Sequence, residues 1–160
     1  GLSKGQDFVK LKDELEHARC YLNISKIRYR DCFTYEIWED SEIWSFKTIK
    51  IILQTIIENA IKHGIYKDRT DGRIVISGRR DGDHILLEVR DNGRGIGQDK
   101  LEALQDVLER AQEDDTIDIG FGLLNVNERI KLNFGTEYGL QIGSKAGEGT
   151  TVTVKIPVIE

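Results

Sequence analysis

The sequence predicts a single α+β domain built on a mostly antiparallel sheet. Two stretches, "GRIVISGRR" and "HILLEVRD", alternate apolar and polar residues as strands do, and the turn residues Asp81-Gly82-Asp83 join them. Other stretches repeat apolar residues at helical spacing. The chain has 160 residues, enough for one sizeable core, and shows no low-complexity linker or internal repeat.

The first half of the chain predicts two helices and one strand. Residues 6–31 predict a long helix, because Phe8, Leu15, Leu22 and Tyr29 recur every seven residues. Such a seam is typical of a helix packed on its own domain, and equally of the tail of a helix that pairs with another helix or subunit. The remaining predicted elements of this half are a strand in "CFTYEIWED" and a helix over 46–64, ended by Gly64 as a left-handed cap.

The second half adds two helices and two closing strands to the hairpin. The predicted helices are "KLEALQDVLERAQ" and "GLLNVNERIKLNF", separated by the acidic loop "EDDTIDIG"; the predicted strands are "YGLQIGS" and "TTVTVKIPV", separated by "KAGEG". Together these elements predict a single α+β domain with an antiparallel-leaning sheet.

Composition limits the classes of function. The net charge of −5 argues against general nucleic-acid binding, and the longest uncharged apolar run, "IILQTII", is too short to span a membrane. Cys20 and Cys32 fit no metal pattern and indicate a reducing compartment. The sequence contains no methionine, so we expect a piece of a longer protein.

The stretch "IIENAIKHG" places a polar cluster on a helix with a buried face. Glu58, Asn59, Lys62 and His63 fall on the arc opposite the apolar residues. One interpretation is a solvated face with a Glu58–Lys62 pair. The other is a site for a metal and phosphates, because an amide oxygen suits Mg²⁺ while Lys and His donate to phosphate oxygens.

The stretch "LLEVRDNGRGIG" ends a strand with a carboxylate on its apolar face. Asp91 shares the parity of the buried residues of its strand, and a buried acid needs a partner. A hairpin turn would explain Asp-Asn-Gly alone. However, Gly93, Gly95 and Gly97 precede a helical pattern and permit close approach of a ligand. Asp91 could then accept a hydrogen bond from an exocyclic amine such as that of adenine.

Two further glycine-containing stretches are less specific. In "GFGLLNVNERI", glycines at a helix start leave backbone N–H groups available for phosphates, although a flexible loop entry explains them equally well. The stretch "GEGTTVTV" is a glycine turn leading into a strand and indicates nothing by itself.

The order of these motifs resembles the GHKL ATPase superfamily, which groups gyrase, the ninety-kilodalton heat-shock chaperones, histidine kinases and MutL. "ENAIKHG", "DNGRGI", "GFGLLNVNERIKLNFG" and "GEGTTVTVKIP" look most like the ATP-binding domain of sensor histidine kinases of the YesM/LytS-like branch. The resemblance runs from about residue 6 to the end of the chain. One departure is Thr55, which replaces the proline of the usual LQP start.

The resemblance implies a two-layer α/β sandwich of the Bergerat type, with a mixed, mostly antiparallel sheet covered by helices and ATP between the layers. It also implies that residues 1–31 are a lead-in helix from a dimerisation and phosphoacceptor region, and that residues 32–160 are the catalytic domain.

The resemblance assigns roles to individual residues. Asn59 looks like the Mg²⁺ ligand, Lys62 and His63 look like catalytic phosphate contacts, and Asp91 looks like the acid that reads adenine. The other ATP-binding residues implied are Gly93, Gly95 and Ile96 at base and ribose, Gly120, Gly122 and Leu123 at the phosphates, and Thr150 near adenine through water. Residues 96–119 would then form a lid.

Glu58 has no clear catalytic counterpart. In the gyrase and chaperone branches the carboxylate that activates water lies four residues before the asparagine, where this chain has Thr55. Glu58 is left with holding a magnesium-bound water or pairing with Lys62. The absence of an acid at position 55 fits a kinase better than an ATPase, because a neutral histidine nitrogen is itself a nucleophile.

The resemblance therefore implies a protein-histidine kinase of a two-component system, using Mg²⁺ and ATP. None of His17, His63 and His84 resembles the family's phosphoacceptor, so we expect the acceptor outside these residues and this piece alone to be inactive in autophosphorylation. The expected partners are ATP or ADP, the dimerisation domain of the same protein and a response regulator, with no nucleic acid. The parent would be a homodimer in the bacterial plasma membrane, with this domain in the cytoplasm.

Three other functions are weighed against this one. A regulatory module that holds ATP without transferring phosphate would be free to lose "ENAIKHG" and "DNGRG". An ATP-driven clamp of the gyrase or chaperone kind is disfavoured by Thr55. A non-nucleotide interaction domain would require four coincidental motifs.

Overall fold

The computed structural model describes residues 8–38, 42–65, 69–110 and 121–160. In chain order the elements are β1 (Phe8–Lys10), α1 (Leu11–Arg28), β2 (Phe33–Ile37), a 3-10 helix (Glu42–Ser45), β3 (Lys47–Ile49), α2 (Leu53–Gly64), β4 (Gly72–Asp81), β5 (His84–Asp91), α3 (Gln98–Arg110), α4 (Phe121–Phe134), β6 (Gly139–Lys145) and β7 (Gly149–Pro157).

Five strands form one sheet in the order β2-β4-β5-β7-β6. Only β2 runs parallel to its neighbour, and the pairs β4–β5, β5–β7 and β6–β7 are antiparallel. Helices pack on the face that carries the buried residues of each strand; in β5 these are Ile85, Leu87, Val89 and Asp91. The predicted fold, a mixed and mostly antiparallel sheet covered by helices, is confirmed.

The first predicted helix, 6–31, is wrong at both ends. Residues Phe8–Lys10 form a strand that pairs with β3. The helix ends at Arg28, because Arg30 and Asp31 adopt left-handed backbone angles, φ 47° and 61°. Its apolar seam, the buried residues Leu11, Leu15, Ala18 and Leu22, belongs to the same core as the sheet. The seam is therefore used within the domain.

The second predicted helix, 46–64, begins only at Leu53. The turn before it, 50–52, is held by side chains from two other helices. Glu14 of α1 is 3% exposed, and its carboxylate accepts hydrogen bonds from the backbone N–H groups of Ile51, Ile52 and Leu53 at 2.6–3.4 Å. Arg129 of α4 donates to the carbonyl oxygens of residues 50 and 51. The Glu14 bonds satisfy backbone N–H groups at the N-terminus of α2, and the Arg129 bonds hold the carbonyl groups of the turn before it, so the helix begins at Leu53 rather than at residue 46.

Gly64 is not the left-handed cap that the sequence predicted. It is the last residue of α2, and Ile65 follows in an extended conformation. The remaining helices and strands of the second half lie within two residues of their predicted bounds, and the predicted loop "EDDTIDIG" lies outside the described residues. Among the described helices, none has both the length and the apolar character needed to cross a bilayer.

Candidate functional site

The end of β5 and the end of α2 are in direct contact, and glycines make that contact possible. A methyl group on Gly64 would lie 2.9 Å from Asp91 Oδ1, and one on Gly93 would overlap the carbonyl oxygen of Gly64. Position 64 therefore requires glycine because the Asp91 side chain occupies the space that a Cβ atom would need, and not because the backbone there is left-handed.

Asp91 is a buried acid, 7% exposed. Its Oδ1 accepts a hydrogen bond from the backbone N–H of Gly93 at 2.8 Å. Burial raises the pKa of Asp91 above its ordinary value, and the backbone hydrogen bonds from Gly93 and Thr150 oppose this only in part. A carboxylate has about four acceptor positions, so Asp91 has room for a further donor.

Two glycine-containing loops meet beside Asp91. The backbone N–H of Gly147 donates to the carbonyl oxygen of Arg94 at 2.6 Å, and that of Ile96 donates to Ser144 Oγ at 2.8 Å. Gly95 has φ +70°, and a methyl group there would overlap the backbone carbonyl of Lys145. The loop after β5 is thus hydrogen-bonded to the end of β6 and to the β6–β7 turn, where the stretch "GEGTTVTV" begins.

A cavity of about 220 Å³ opens between α2 and this junction. It brings together six of the predicted site residues: Asn59, His63, Asp91, Gly95, Ile96 and Thr150. The rest of its lining is Ile56, Ala60, Gly64, Val89, Arg94, Lys100 and Val152. One wall is therefore α2, and the floor is formed by β5 and β7.

Three predicted residues on or beside α2 lie outside the lining. Gly93 packs against Gly64 next to the cavity. Lys62 is exposed. Glu58 accepts a hydrogen bond from Gln54 at 3.0 Å, so among the described residues its partner is not the predicted Lys62. Glu58 also faces α1, where its charge adds to the burial that raises the pKa of Tyr21.

The predicted phosphate-binding helix start is only partly described. Gly120 lies outside the described residues. A methyl group on Gly122 would lie 2.9 Å from Thr55 Cγ2, and Leu123 is fully buried in the core. The Thr55 hydroxyl donates to the carbonyl oxygen of Ile51 at 3.3 Å. Position 55 is thus occupied by a side chain that packs α4 on α2 and carries no carboxylate.

Sequence reasoning missed several residues that build the site. Ser144 lies at the junction of the two loops, and Lys100 of α3 adds a cation to the cavity lining. The Asn92 side chain accepts from the N–H of Arg73 and donates to the carbonyl of Asp71, which explains the Asn of "DNG". Ser144 shares strand parity with the buried residues of β6, so the period-two pattern contained a signal for it.

The protein side chains at the cavity would bind a metal ion only together with oxygen atoms of a ligand. Among the described residues no group of three His, Cys, Asp or Glu side chains could hold an ion. Asn59 contributes an amide oxygen to the cavity. Mg²⁺ keeps several waters and is often bound by one or two protein oxygens plus substrate phosphates, so Asn59 fits that arrangement.

A larger cavity of about 480 Å³ lies beside the edge strand β6. Its charged lining residues are Glu109, Lys131, Glu137 and Lys155. The Lys131 ammonium already donates to the carbonyl oxygens of Thr136 and Tyr138. We assign the candidate site to the smaller cavity, because a buried carboxylate with a perturbed pKa lies there.

Known proteins resemble the chain in sequence and in fold. The sensor histidine kinase BtsS of Escherichia coli K12 is 33% identical over 156 residues, 98% of this chain and 25% of that protein. The sensor protein LytS of Bacillus anthracis is 29% identical over 152 residues, 95% of this chain and 25% of that protein. The chain thus spans about a quarter of the length of these relatives.

The catalytic domain of the histidine kinase ThkA shares the fold, with a TM-score of 0.69 at 12% identity, covering 96% of this chain and 97% of that one. The model of the family described as "Histidine kinase-, DNA gyrase B-, and HSP90-like ATPase" matches residues 46–160. The chain belongs to this family of ATPases, whose members bind ATP.

Proposed function

We propose that the chain is the ATP-binding catalytic domain of a sensor histidine kinase, which transfers the γ-phosphate of Mg-ATP to a histidine outside these residues. The observation that carries the proposal is the buried Asp91 carboxylate at the floor of the small cavity. Similarity to BtsS and LytS over nearly the whole chain supports the kinase branch of the family.

The base of the nucleotide binds at the sheet end of the cavity. Asp91 accepts a hydrogen bond from the exocyclic amine of adenine, and Thr150, its cross-strand partner, makes the second contact. Gly95 and Ile96 line the base and ribose, and Gly93 keeps the loop close to α2. Adenine is preferred over guanine, because guanine presents a carbonyl oxygen where Asp91 requires a donor.

The phosphates extend along α2 toward the open side of the cavity. Asn59 supplies the protein oxygen for Mg²⁺, and His63 donates to phosphate oxygens. Lys62, which is exposed on α2 outside the cavity lining, donates to phosphate oxygens at the open side. Lys100, which lines the same cavity, is a further cation for this end. Gly122 and Leu123, in the first turn of α4, and Gly120, which precedes them in the sequence, complete the phosphate contacts in this proposal through their backbone N–H groups.

Transfer to histidine requires positioning and charge neutralisation rather than a general base. Mg²⁺, when bound, would neutralise the negative charge that develops on the phosphate oxygens. Asn59 and the cationic side chains hold the γ-phosphate in place, and Thr55 occupies the position at which the gyrase and chaperone branches have the carboxylate that activates water. An incoming imidazole needs no such activation.

The partners in this proposal are a dimerisation and phosphoacceptor region of the same protein and a response regulator. The names of the relatives, sensor histidine kinase and sensor protein, support this assignment. The parent protein would be a homodimer of the plasma membrane, with this domain on the cytoplasmic side.

Transfer of labelled phosphate in trans tests the proposal. The chain would be mixed with γ-labelled ATP, Mg²⁺ and the acceptor segment of its parent protein. We expect label on the acceptor segment, removed by acid as phosphohistidine is, and only trace hydrolysis of ATP. The Asp91→Ala variant should give no label, while Gly143→Ala, where a methyl group meets nothing within 4 Å, should behave as the unaltered chain. Rapid hydrolysis without labelling would instead favour an ATP-driven clamp.

A further inference from the structure

Ser144 lies at the centre of a hydrogen-bond cluster beside the cavity. Its Oγ is 2.8 Å from three partners: the carbonyl oxygen of Gly149, the backbone nitrogen of Ile96 and the hydroxyl of Thr150. A serine hydroxyl has one proton and two acceptor positions. All three are therefore in use.

The chemistry of the partners fixes the direction of each bond. The Gly149 carbonyl can only accept, so Ser144 gives its proton there. The Ile96 N–H can only donate, so it occupies one acceptor position. The Thr150 hydroxyl must then donate to the other. Thr150 consequently has no proton left for a ligand, and it offers lone pairs only.

Thr150 and Asp91 are cross-strand partners, and both line the cavity. Asp91 is an acceptor when ionised, and Ser144 makes Thr150 an acceptor as well. A ligand edge that meets both groups must therefore present N–H or O–H groups, either its own amine or a bound water. An edge with a carbonyl oxygen there would face acceptors alone.

We propose that Ser144 is a positioning residue of the base subsite: by consuming the Thr150 proton, it sets the subsite to select a 6-amino purine over a 6-oxo purine. The same side chain holds Ile96, the first residue of the predicted lid, against β6. This inference rests on the proposed nucleotide-binding function and deepens it.

The test compares the affinities of ADP and inosine diphosphate, which differ at position 6 of the purine, by calorimetry with Mg²⁺. The Ser144→Ala variant frees the Thr150 proton, so we expect the ratio of the two affinities to fall about fivefold, the worth of roughly one hydrogen bond. The Ser144→Thr variant, which keeps the hydroxyl, should restore the ratio. In a Thr150→Val background, Ser144→Ala should leave the ratio unchanged.

A purely structural role for Ser144 predicts a different result. Loosening of the Ile96 loop would weaken both nucleotides by the same factor and leave their ratio intact, and that result would overturn the inference alone. An unaltered chain that bound neither nucleotide would overturn the proposed function and this inference with it.

Discussion

The two ends of the cavity are built in different ways. At the base end, Asp91 is buried, and Thr150 is bonded to Ser144, so the polar groups are held by the protein itself. At the other end, called the phosphate end after its proposed ligand, His63 and Lys100 are exposed side chains on helices.

In the proposed function, one end of the cavity recognises the base and the other end carries out phosphate transfer, and the two tasks place different demands on the structure. Strand ends that are packed through glycines fix a carboxylate with little freedom, so the base end is organised before a ligand arrives. Exposed side chains on α2 and α3 lose side-chain entropy when they are ordered, so we expect the phosphate end to become ordered when phosphates and a metal bind. We therefore expect the base end to fail through changes in packing, and the phosphate end through changes in charge or metal.

The largest effect is expected at the packing of the base end. Gly93→Ala places a methyl group on the carbonyl of Gly64, so β5 and α2 must separate. We expect a loss of about 3 kcal/mol in the free energy of unfolding and the loss of nucleotide binding. Chemical denaturation measures the first quantity and calorimetry the second. Gly143→Ala, where a methyl group meets nothing within 4 Å, is the control, and equal stability of the two variants would show that the contact is not rigid.

The next effect concerns the N-terminus of α2, the helix that forms one wall of the cavity. Glu14→Ala removes the acceptor for the N–H groups of Ile52 and Leu53 at the start of α2. We expect a loss of about 1–3 kcal/mol in the free energy of unfolding, because those buried donors lose their partner. The control is Glu16→Ala on the same helix, an exposed residue that should change stability by less than about 0.5 kcal/mol. Similar denaturation midpoints for the two variants would refute this role of Glu14.

A smaller effect should appear at the phosphate end alone. Asn59→Ala should weaken ATP binding about tenfold in the presence of Mg²⁺ and little in its absence, since only the metal ligand is lost. Titrations with Mg²⁺ and with a chelator measure both values. If the variant gains as much affinity from Mg²⁺ as the unaltered chain, Asn59 is not the ligand.

The smallest expected effect is a gain in stability that depends on pH. The pKa of Asp91 is raised in the folded state above 3.8, chiefly by burial. Below pH 3.8 the group is protonated in both states; as pH rises through the raised folded pKa, ionisation in the buried site costs stability. Asp91→Asn should therefore be more stable than the unaltered chain at neutral pH, by about 1 kcal/mol, and this advantage should shrink in acid.

Denaturation curves of the two proteins at several pH values measure the difference. The same variant should bind adenine nucleotides less well, because a neutral amide accepts a hydrogen bond less strongly than a carboxylate. An advantage that stays constant from acid to neutral pH would contradict the assignment of the raised pKa to Asp91.

Local patterns predicted those parts of the molecule that local forces decide. Strand parity placed Asp91 on the buried face. Helical periodicity grouped Glu58, Asn59, Lys62 and His63 on one arc opposite the apolar residues; of these four, Asn59 and His63 line the cavity, and they do so together with apolar residues of α2. Neither pattern shows which residue of another helix or strand a given side chain will contact. The start of α2 depends on Glu14, which lies 37–39 residues earlier, so the periodicity of 46–64 could not show it.

The same limit, that a local pattern does not show contacts with other elements, explains the outcomes of the predictions for Gly64 and Gly95. Gly64 was predicted from its place at the end of a helix, yet the reason for glycine there is Asp91, on another element. Gly95 was predicted to permit close approach of a ligand; the structure gives another reason for glycine there, a left-handed backbone, φ +70°, packed against the carbonyl of Lys145. The role of Ser144 likewise depends on Thr150 and Ile96, which only the assembled sheet brings together.

Nucleotide affinity of the Asp91→Ala variant tests the central claim most directly, because this carboxylate is the group assigned to adenine. Calorimetry of the unaltered chain should show binding of ATP and ADP with Mg²⁺ and a preference for adenine over guanine. We expect the variant to lose about 1–3 kcal/mol or more of binding free energy, roughly five- to 150-fold or more in affinity, while remaining folded. Unchanged ATP affinity in a folded Asp91→Ala protein would contradict the account and direct attention to the larger cavity beside β6.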